Sequence, residues 1–164
     1  MKLSELTESI NQAVLTGTDD PEIQTLCYDS RKSSEGSLFF ALKGQNVNGM
    51  DFIEPAVKSG ASGIVAEADD CGLDVPWVKV PDGRYAMSAM SDMIYACPSS
   101  EIKIAGITGT NGKTTTAFLL CYLLEKGQRR CGLLGTIKYK TGSEEEPAVT
   151  HTTPEAPELQ SYLS

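Results

Sequence analysis

The residues with the most chemical potential in this chain are Gly106-Ile107-Thr108-Gly109-Thr110-Asn111-Gly112-Lys113-Thr114-Thr115-Thr116. Before them runs the apolar stretch Ile102–Ile107, expected to be a buried strand. After them Thr114–Glu125 is expected to be a helix ended by Gly127. A glycine-rich turn between a strand and a helix is the setting in which backbone amides cradle a phosphate. Glycine lets the main chain turn tightly and approach an anion with no Cβ in the way. The first amides of the helix, together with its dipole, then face the negative charge. Lys113 is placed to reach the β- and γ-phosphates of a nucleotide, and the Thr114 hydroxyl to ligate Mg²⁺. Gly109, Thr110, Asn111, Gly112 and Thr115 complete the cradle. Thr115 and Thr116 have a second reading, as residues that pack or bond back to the backbone within the first helical turn. The segment departs from the general G-x-x-x-x-G-K-[ST] form, because Ile107 stands where the first glycine would be. It matches the shorter G-x-x-G-K-T, opening at Gly109.

Other chemistries find little support. His151 is the single histidine, so any Ser-His-Asp triad has to be built on it, and nothing around it suggests one. The five cysteines, Cys27, Cys71, Cys97, Cys121 and Cys131, are odd in number and scattered without a C-x-x-C pair. That argues against a zinc site or a disulfide framework and for reduced thiols in a cytoplasm. Lys and Arg total 14 against 22 Asp and Glu, a net charge of −8. An acidic surface repels a phosphodiester backbone, so nucleic acid is not an expected partner. No apolar run is long enough to span a bilayer, and Met1-Lys2-Leu3-Ser4-Glu5-Leu6 lacks the apolar core of a secretory signal. With 164 residues, 40% hydrophobic and 22% charged, the chain reads as globular and long enough for one domain, or for a small domain and part of another.

The elements that must position these groups fall into two stretches. Leu3, Leu6, Ile10 and Val14 recur at helical spacing and predict a helix stopped near Gly17. Ile23–Tyr28 reads as a strand leading into Asp29-Ser30-Arg31. Ser37–Leu42 reads as a buried strand followed by the Gly- and Asn-rich loop Gly44–Gly49. A helix is expected over Asp51–Ser59, closed by Gly60, then strands at Ile64–Ala66 and Trp77–Val80. Ala86, Met87, Met90, Met93, Ile94 and Cys97 mark one helix face, best explained as core packing, since unbranched Met fills irregular gaps. Cys97-Pro98-Ser99-Ser100 breaks the pattern and predicts a boundary. Beyond the phosphate turn, Cys131–Leu134 is expected as a strand. Ile137-Lys138-Tyr139 leads toward a hairpin tip at Gly142 and Glu144-Glu145-Glu146. Thr153 resembles an N-cap and Pro154 a first helical residue, with Leu159, Tyr162 and Leu163 supplying an apolar face. The second stretch has too few strands for a covered parallel sheet, so the chain is expected to be part of a longer protein.

Three segments together carry a family resemblance. The loop at 106–116 resembles the ATP loop of the Mur ligases, the amino-acid ligases of peptidoglycan synthesis. Asp29-Ser30-Arg31 followed by Gly36-Ser37-Leu38-Phe39-Phe40-Ala41-Leu42-Lys43-Gly44 resembles their N-terminal uridine-binding domain. His151-Thr152-Thr153-Pro154-Glu155 resembles the substrate segment of the MurE branch. The resemblance implies an α/β fold: a small UDP-substrate-binding domain over 1–98, then the beginning of a central P-loop, parallel-sheet ATPase domain over 99–164. It implies that Ser30 hydrogen-bonds the UDP-sugar, with Tyr28 contributing backbone beside it. Gln45, Asn46 and Val47 match the stretch lining the uracil or diphosphate. Thr152 and Thr153 match residues touching the muramoyl-peptide, and His151 stands where some relatives have Asn.

The resemblance implies, further, that ATP and Mg²⁺ are the cofactors. The substrates are UDP-N-acetylmuramoyl-L-Ala-D-Glu and a diamino acid, meso-diaminopimelate or L-lysine. The substrate carboxylate attacks the γ-phosphate, and the acyl phosphate is then taken by the amine. Two anions must meet in that step, so charge neutralisation by Lys113, the loop amides and Mg²⁺ is the central physics. On this reading the chain alone is not competent for ligation. Three alternatives stand beside it: a non-catalytic UDP-sugar-binding module, a MurF-like ligase sharing the Asp-Ser-Arg region, and a different P-loop enzyme such as a kinase or a folylpolyglutamate-synthetase relative. The last is disfavoured because a stand-alone kinase does not need the Asp-Ser-Arg domain in front.

Overall fold

The computed structural model describes residues 1–44, 47–141 and 154–164. Two compact units divide at Cys97 and Pro98. In the first, strand β1 (Val14–Thr16) follows helix α1 (Leu3–Glu8), and β2 (Thr25–Cys27) and β3 (Ser37–Phe40) come next. Helix α2 (Ile53–Lys58), β4 (Gly63–Ala66), β5 (Trp77–Lys79) and α3 (Gly83–Ile94) complete it. The five strands form one sheet in the order β1-β5-β4-β3-β2, with β1 antiparallel to β5 and the rest parallel.

Strand periodicity sorts the core into two layers. Leu38, Phe40, Val65 and Val78 face one side and pack with Leu3 and Leu6 of α1 and Ala86, Met87 and Met90 of α3. Phe39, Ile64, Ala66 and Trp77 face the other and pack with Ile53 and Ala56 of α2. Adjacent residues of β3 are therefore buried on opposite faces, which is why this strand reads as a continuous apolar run. Met87 and Met90 of α3 are core and Met93 and Ile94 pack half-buried against them, as their spacing suggests. Cys97, expected on the same face, lies beyond the end of the helix and is exposed. Asp82 caps that helix, its carboxylate accepting from the Tyr85 N–H at 2.9 Å.

The first helix is shorter than its apolar spacing predicts. It ends at Glu8, Gln12 takes a positive φ of 62°, and Val14 lies in β1, 53% exposed. Pairing of Val14 with Lys79 and of Leu15 with Val78 wins over another helical turn, because it caps the open edge of β5.

The second unit contains a 3₁₀ turn at Pro98–Ser100, helix α4 (Lys113–Lys126), strands β6 (Leu133–Leu134) and β7 (Tyr139–Lys140), and helix α5 (Ala156–Leu163). β6 and β7 pair antiparallel. The buried Tyr139 ring meets Tyr162 of α5 edge-on at 5.4 Å. The expected strand at Ile102–Ile107 is not formed, and Ile104 is 61% exposed. A strand exists only through its ladder, and among the described residues none pairs with this stretch. The last helix starts later than Thr153-Pro154 predicts: Glu155 is its N-cap and Pro157 occupies the first turn. Gly142, Glu144-Glu145-Glu146 and Thr153 lie outside the described residues.

Candidate functional site

Gly109 and Gly112 set the geometry of the loop. Gly112 is the N-cap of α4 in the left-handed region (φ +79°), and a Cβ built there would meet nothing within 4 Å. That open face is where an anion can approach the backbone. Glycine offers no side chain to cap the helix. The ladder begins with the Thr116 N–H donating to the Gly112 carbonyl at 2.9 Å, so the amides of Lys113, Thr114 and Thr115 have no acceptor within the helix. The Lys113 ammonium folds back and donates to the Gly109 carbonyl at 2.5 Å, bringing its charge over the turn. Thr110 and Asn111 form the exposed crest between the two glycines, and Thr114 sits half-buried in the first turn. The donor set consists of amides, one ammonium and one hydroxyl. It fits a polyphosphate, and the Thr114 hydroxyl fits a hard divalent cation such as Mg²⁺.

The second group of predicted residues lies at the carboxyl ends of β2 and β3, neighbours in the parallel sheet. Ligands of open α/β sheets bind at this edge, since the loops there leave a crevice. Tyr28 follows β2 directly and packs partly against the core. Ser30 is 7% exposed and opens a 3₁₀ turn, Ser30–Lys32, capped by Asp29. The Asp29 carboxylate accepts from the Arg31 amide (3.1 Å), Nε (2.9 Å) and Nη2 (2.7 Å). Asp29-Ser30-Arg31 is therefore a self-bonded turn that fixes the position of Ser30. After β3 the chain doubles back: Gly44 N–H donates to the Val47 carbonyl and Gly49 N–H to the Leu42 carbonyl, each at 2.9 Å. Val47 is exposed on this loop. The fold thus places Tyr28, Ser30 and Val47 on loops at one edge. Gln45, Asn46, His151, Thr152 and Thr153 lie outside the described residues.

Two residues that sequence reasoning passed over hold this edge together. A Cβ on Gly49 would lie 2.5 Å from both the nitrogen and the oxygen of Leu42, so only glycine lets the returning loop lie on the end of β3. Glu67, after β4, accepts from the Gly83 N–H at 3.0 Å and ties the start of α3 to the same edge. The signal for Gly49 was its place at the end of a Gly- and Asn-rich loop; its contact with Leu42 is tertiary. Gly49→Ala is expected to destabilise the first unit by about 1–3 kcal/mol through overpacking against backbone, read from the urea midpoint.

The Arg31 guanidinium, hydrogen-bonded to Asp29, holds that carboxyl below the usual carboxylate range. A carboxyl lowered by folding adds stability that is complete above its unfolded value, about 3.9, and lost as pH falls through the folded one. Urea midpoints should therefore be insensitive to this group from pH 7 to 5 and decline below about pH 4. Asp29→Asn should lose less stability than the wild type over that acid interval. An equal loss in both proteins would refute the assignment. Asp20, lowered by hydrogen bonds from Ser4, declines on the same side and remains in the variant.

Comparison with known proteins finds a match in each of the two units. Residues 22–95 match the Mur ligase family, catalytic domain, and residues 107–164 match the Mur ligase middle domain. The UDP-N-acetylmuramoyl-L-alanyl-D-glutamate–2,6-diaminopimelate ligase of Alkaliphilus metalliredigens is 42% identical over 161 residues, 98% of this chain and 32% of the relative. The enzyme of the same name from Geobacter sulfurreducens is 42% identical over 99% of this chain and 32% of its own length. The chain thus spans about a third of the length of these curated relatives. Among solved structures, a UDP-N-acetylmuramoyl-L-alanyl-D-glutamate–2,6-diaminopimelate ligase superposes with a TM-score of 0.63 at 27% identity, over 86% of this chain and 28% of that one. The MurF ligase of Thermotoga maritima, solved with ADP, superposes with a TM-score of 0.55 at 25% identity, over 85% of this chain and 29% of that one. With a glycine-rich turn opening α4, a five-stranded α/β unit before it, and these likenesses across both units, the chain belongs to the Mur ligase family, with homology to its MurE-type members.

Proposed function

We propose that this chain is the substrate-holding and nucleotide-gripping part of an ATP-dependent ligase of peptidoglycan precursor synthesis, acting in the cytoplasm. The reaction joins a diamino acid, 2,6-diaminopimelate by the names of the relatives, to UDP-N-acetylmuramoyl-L-alanyl-D-glutamate. The observation that carries the reading is the turn from Gly109 to Gly112, which opens α4 with its first amides outside the helix's own hydrogen-bond ladder and Lys113 folded over it. Bound ATP with Mg²⁺ supplies the phosphoryl group that activates the substrate carboxylate. The residues of this chain bring two anions together. Amides at the start of α4 and the Lys113 ammonium neutralise the phosphates, and Thr114 is the residue to hold the metal ion. Gly109, Thr110, Asn111 and Thr115 shape the cradle. Ser30 and Tyr28, with Gln45, Asn46 and Val47, hold the UDP end over residues 1–98. His151, Thr152 and Thr153 contact the muramoyl-peptide from residues 99–164. The MurE-type reading is supported over a MurF-like ligase by the 42% identity, across nearly the whole chain, to two UDP-N-acetylmuramoyl-L-alanyl-D-glutamate–2,6-diaminopimelate ligases.

Calorimetry on the 164-residue chain tests this directly. One equivalent each of UDP-N-acetylmuramoyl-L-alanyl-D-glutamate and of Mg-ATP should bind. None of the residues with an assigned role takes the diamino acid, so mixing all three substrates should form no amide-linked tripeptide product. Failure to bind either ligand overturns the proposal. Nucleotide binding without UDP-sugar binding reassigns the chain to another class of P-loop enzyme. Substrate-dependent turnover overturns the view that it supplies only part of the site.

A further inference from the structure

Cys121 and Cys131 belong to neither group of residues assigned above. Cys121 sits in the middle of α4 with 7% of its surface exposed, whereas Cys131 precedes β6 and is half-buried. The chain reverses sharply between them. Gln128 takes a φ of +58°, and the N–H groups of Gln128 and Arg129 return to the carbonyls of Glu125 and Leu124, each at 2.9 Å. This turn lays the segment before β6 back along the helix it has just left. As a result the Cys121 thiol donates toward the Cys131 carbonyl at 3.9 Å, while the Cys131 thiol donates to the Gly132 carbonyl at 3.3 Å. Both are free thiols. In a chain of scattered cysteines, these two are brought together by the fold.

We propose that Cys121 and Cys131 form a redox modification site, closing to an intramolecular disulfide by exchange with a low-molecular-weight disulfide. Cys131 is the entry point, because it is the more exposed of the two. Its thiolate, after losing a proton to solvent, attacks one sulfur of the small disulfide; a mixed disulfide forms and one small thiol leaves. The Cys121 thiolate then attacks the Cys131 sulfur, and the second small thiol leaves. Both cysteines are oxidised, and the small disulfide is reduced to two thiols. Burial first, and the neighbouring Cys131 thiol second, push the Cys121 thiol of the reduced pair up to about 11; its burial persists in the mixed disulfide, so closure of the bridge accelerates with pH. The bridge fastens the body of α4, whose first turn carries Lys113 and Thr114, to the strand pair β6–β7.

The test is to incubate the reduced protein with oxidised glutathione from pH 7 to 9, quench with acid, alkylate and map peptides by mass. The expected product is a Cys121–Cys131 linked peptide about 2 Da below the sum of its reduced parts. Cys121→Ser should stop at the mixed disulfide on Cys131, and Cys131→Ser should leave Cys121 unmodified. A stable glutathione adduct on Cys131 of the wild type, or pairing of Cys131 with Cys71 or Cys97 to the same extent, overturns the proposal. The wild-type map decides even where a variant folds poorly.

Discussion

Trp77→Ala is expected to lower the unfolding free energy of the first unit by about 3–5 kcal/mol, a larger loss than that expected of Gly49→Ala. The side chain is fully buried in β5, on the face covered by α2, against Phe39, Ile64 and Ile53. Its Nε1–H donates to the Ala68 carbonyl at 3.0 Å. Truncation therefore leaves a large cavity, while the released Ala68 carbonyl lies on an exposed residue that water can reach, so the cavity carries most of the cost. Domains of this size hold only about 5–15 kcal/mol in total, and each kcal/mol moves the melting midpoint by about 4–8 °C. A fall of at least about 12 °C is expected by calorimetry. Trp77→Phe keeps most of the volume and loses the hydrogen bond, so about 1–2 kcal/mol is expected. If the two variants melted alike, the cavity would not be the main cost.

Lys113→Ala is expected to weaken Mg-ATP binding by about 100-fold, the cost of losing a charge-assisted contact to phosphate. Stability should be nearly unchanged, because Lys113 is only half-buried in the first turn of α4 and its ammonium bonds locally, to the Gly109 carbonyl four residues back. Lys113→Arg keeps the charge but replaces a compact ammonium on a flexible stem with a planar fork, so it should recover only part of the affinity. UDP-sugar binding should be untouched in both variants, since the residues assigned to it follow β2 and β3 in the other unit. Unaltered nucleotide affinity in Lys113→Ala would remove the ammonium from the proposed cradle.

Sequence and structure agree most closely where a single segment carries its own signal. The glycine-rich turn and the helix behind it were legible, because glycine conformations and the start of a helix are local properties. The strands at Ser37 and Trp77 and the Met face of α3 were legible through their apolar content and spacing. Val14 and Ile102 were misread for one shared reason. Whether a residue joins a strand depends on a partner elsewhere in the chain: Val14 found one in Lys79, and Ile102 found none among the described residues.

What the amino-acid sequence determined by itself was the glycine-rich turn that opens α4, the α/β alternation and the family likeness, all of which reside in contiguous residues. The tertiary structure decided three other things: that the loops after β2 and β3 share one sheet edge, that Gly49 lies against Leu42, and that Cys121 meets Cys131. Each of these is a contact between segments separated along the chain. Burying both faces of the sheet fixes the first two, and the tight reversal after α4 fixes the third.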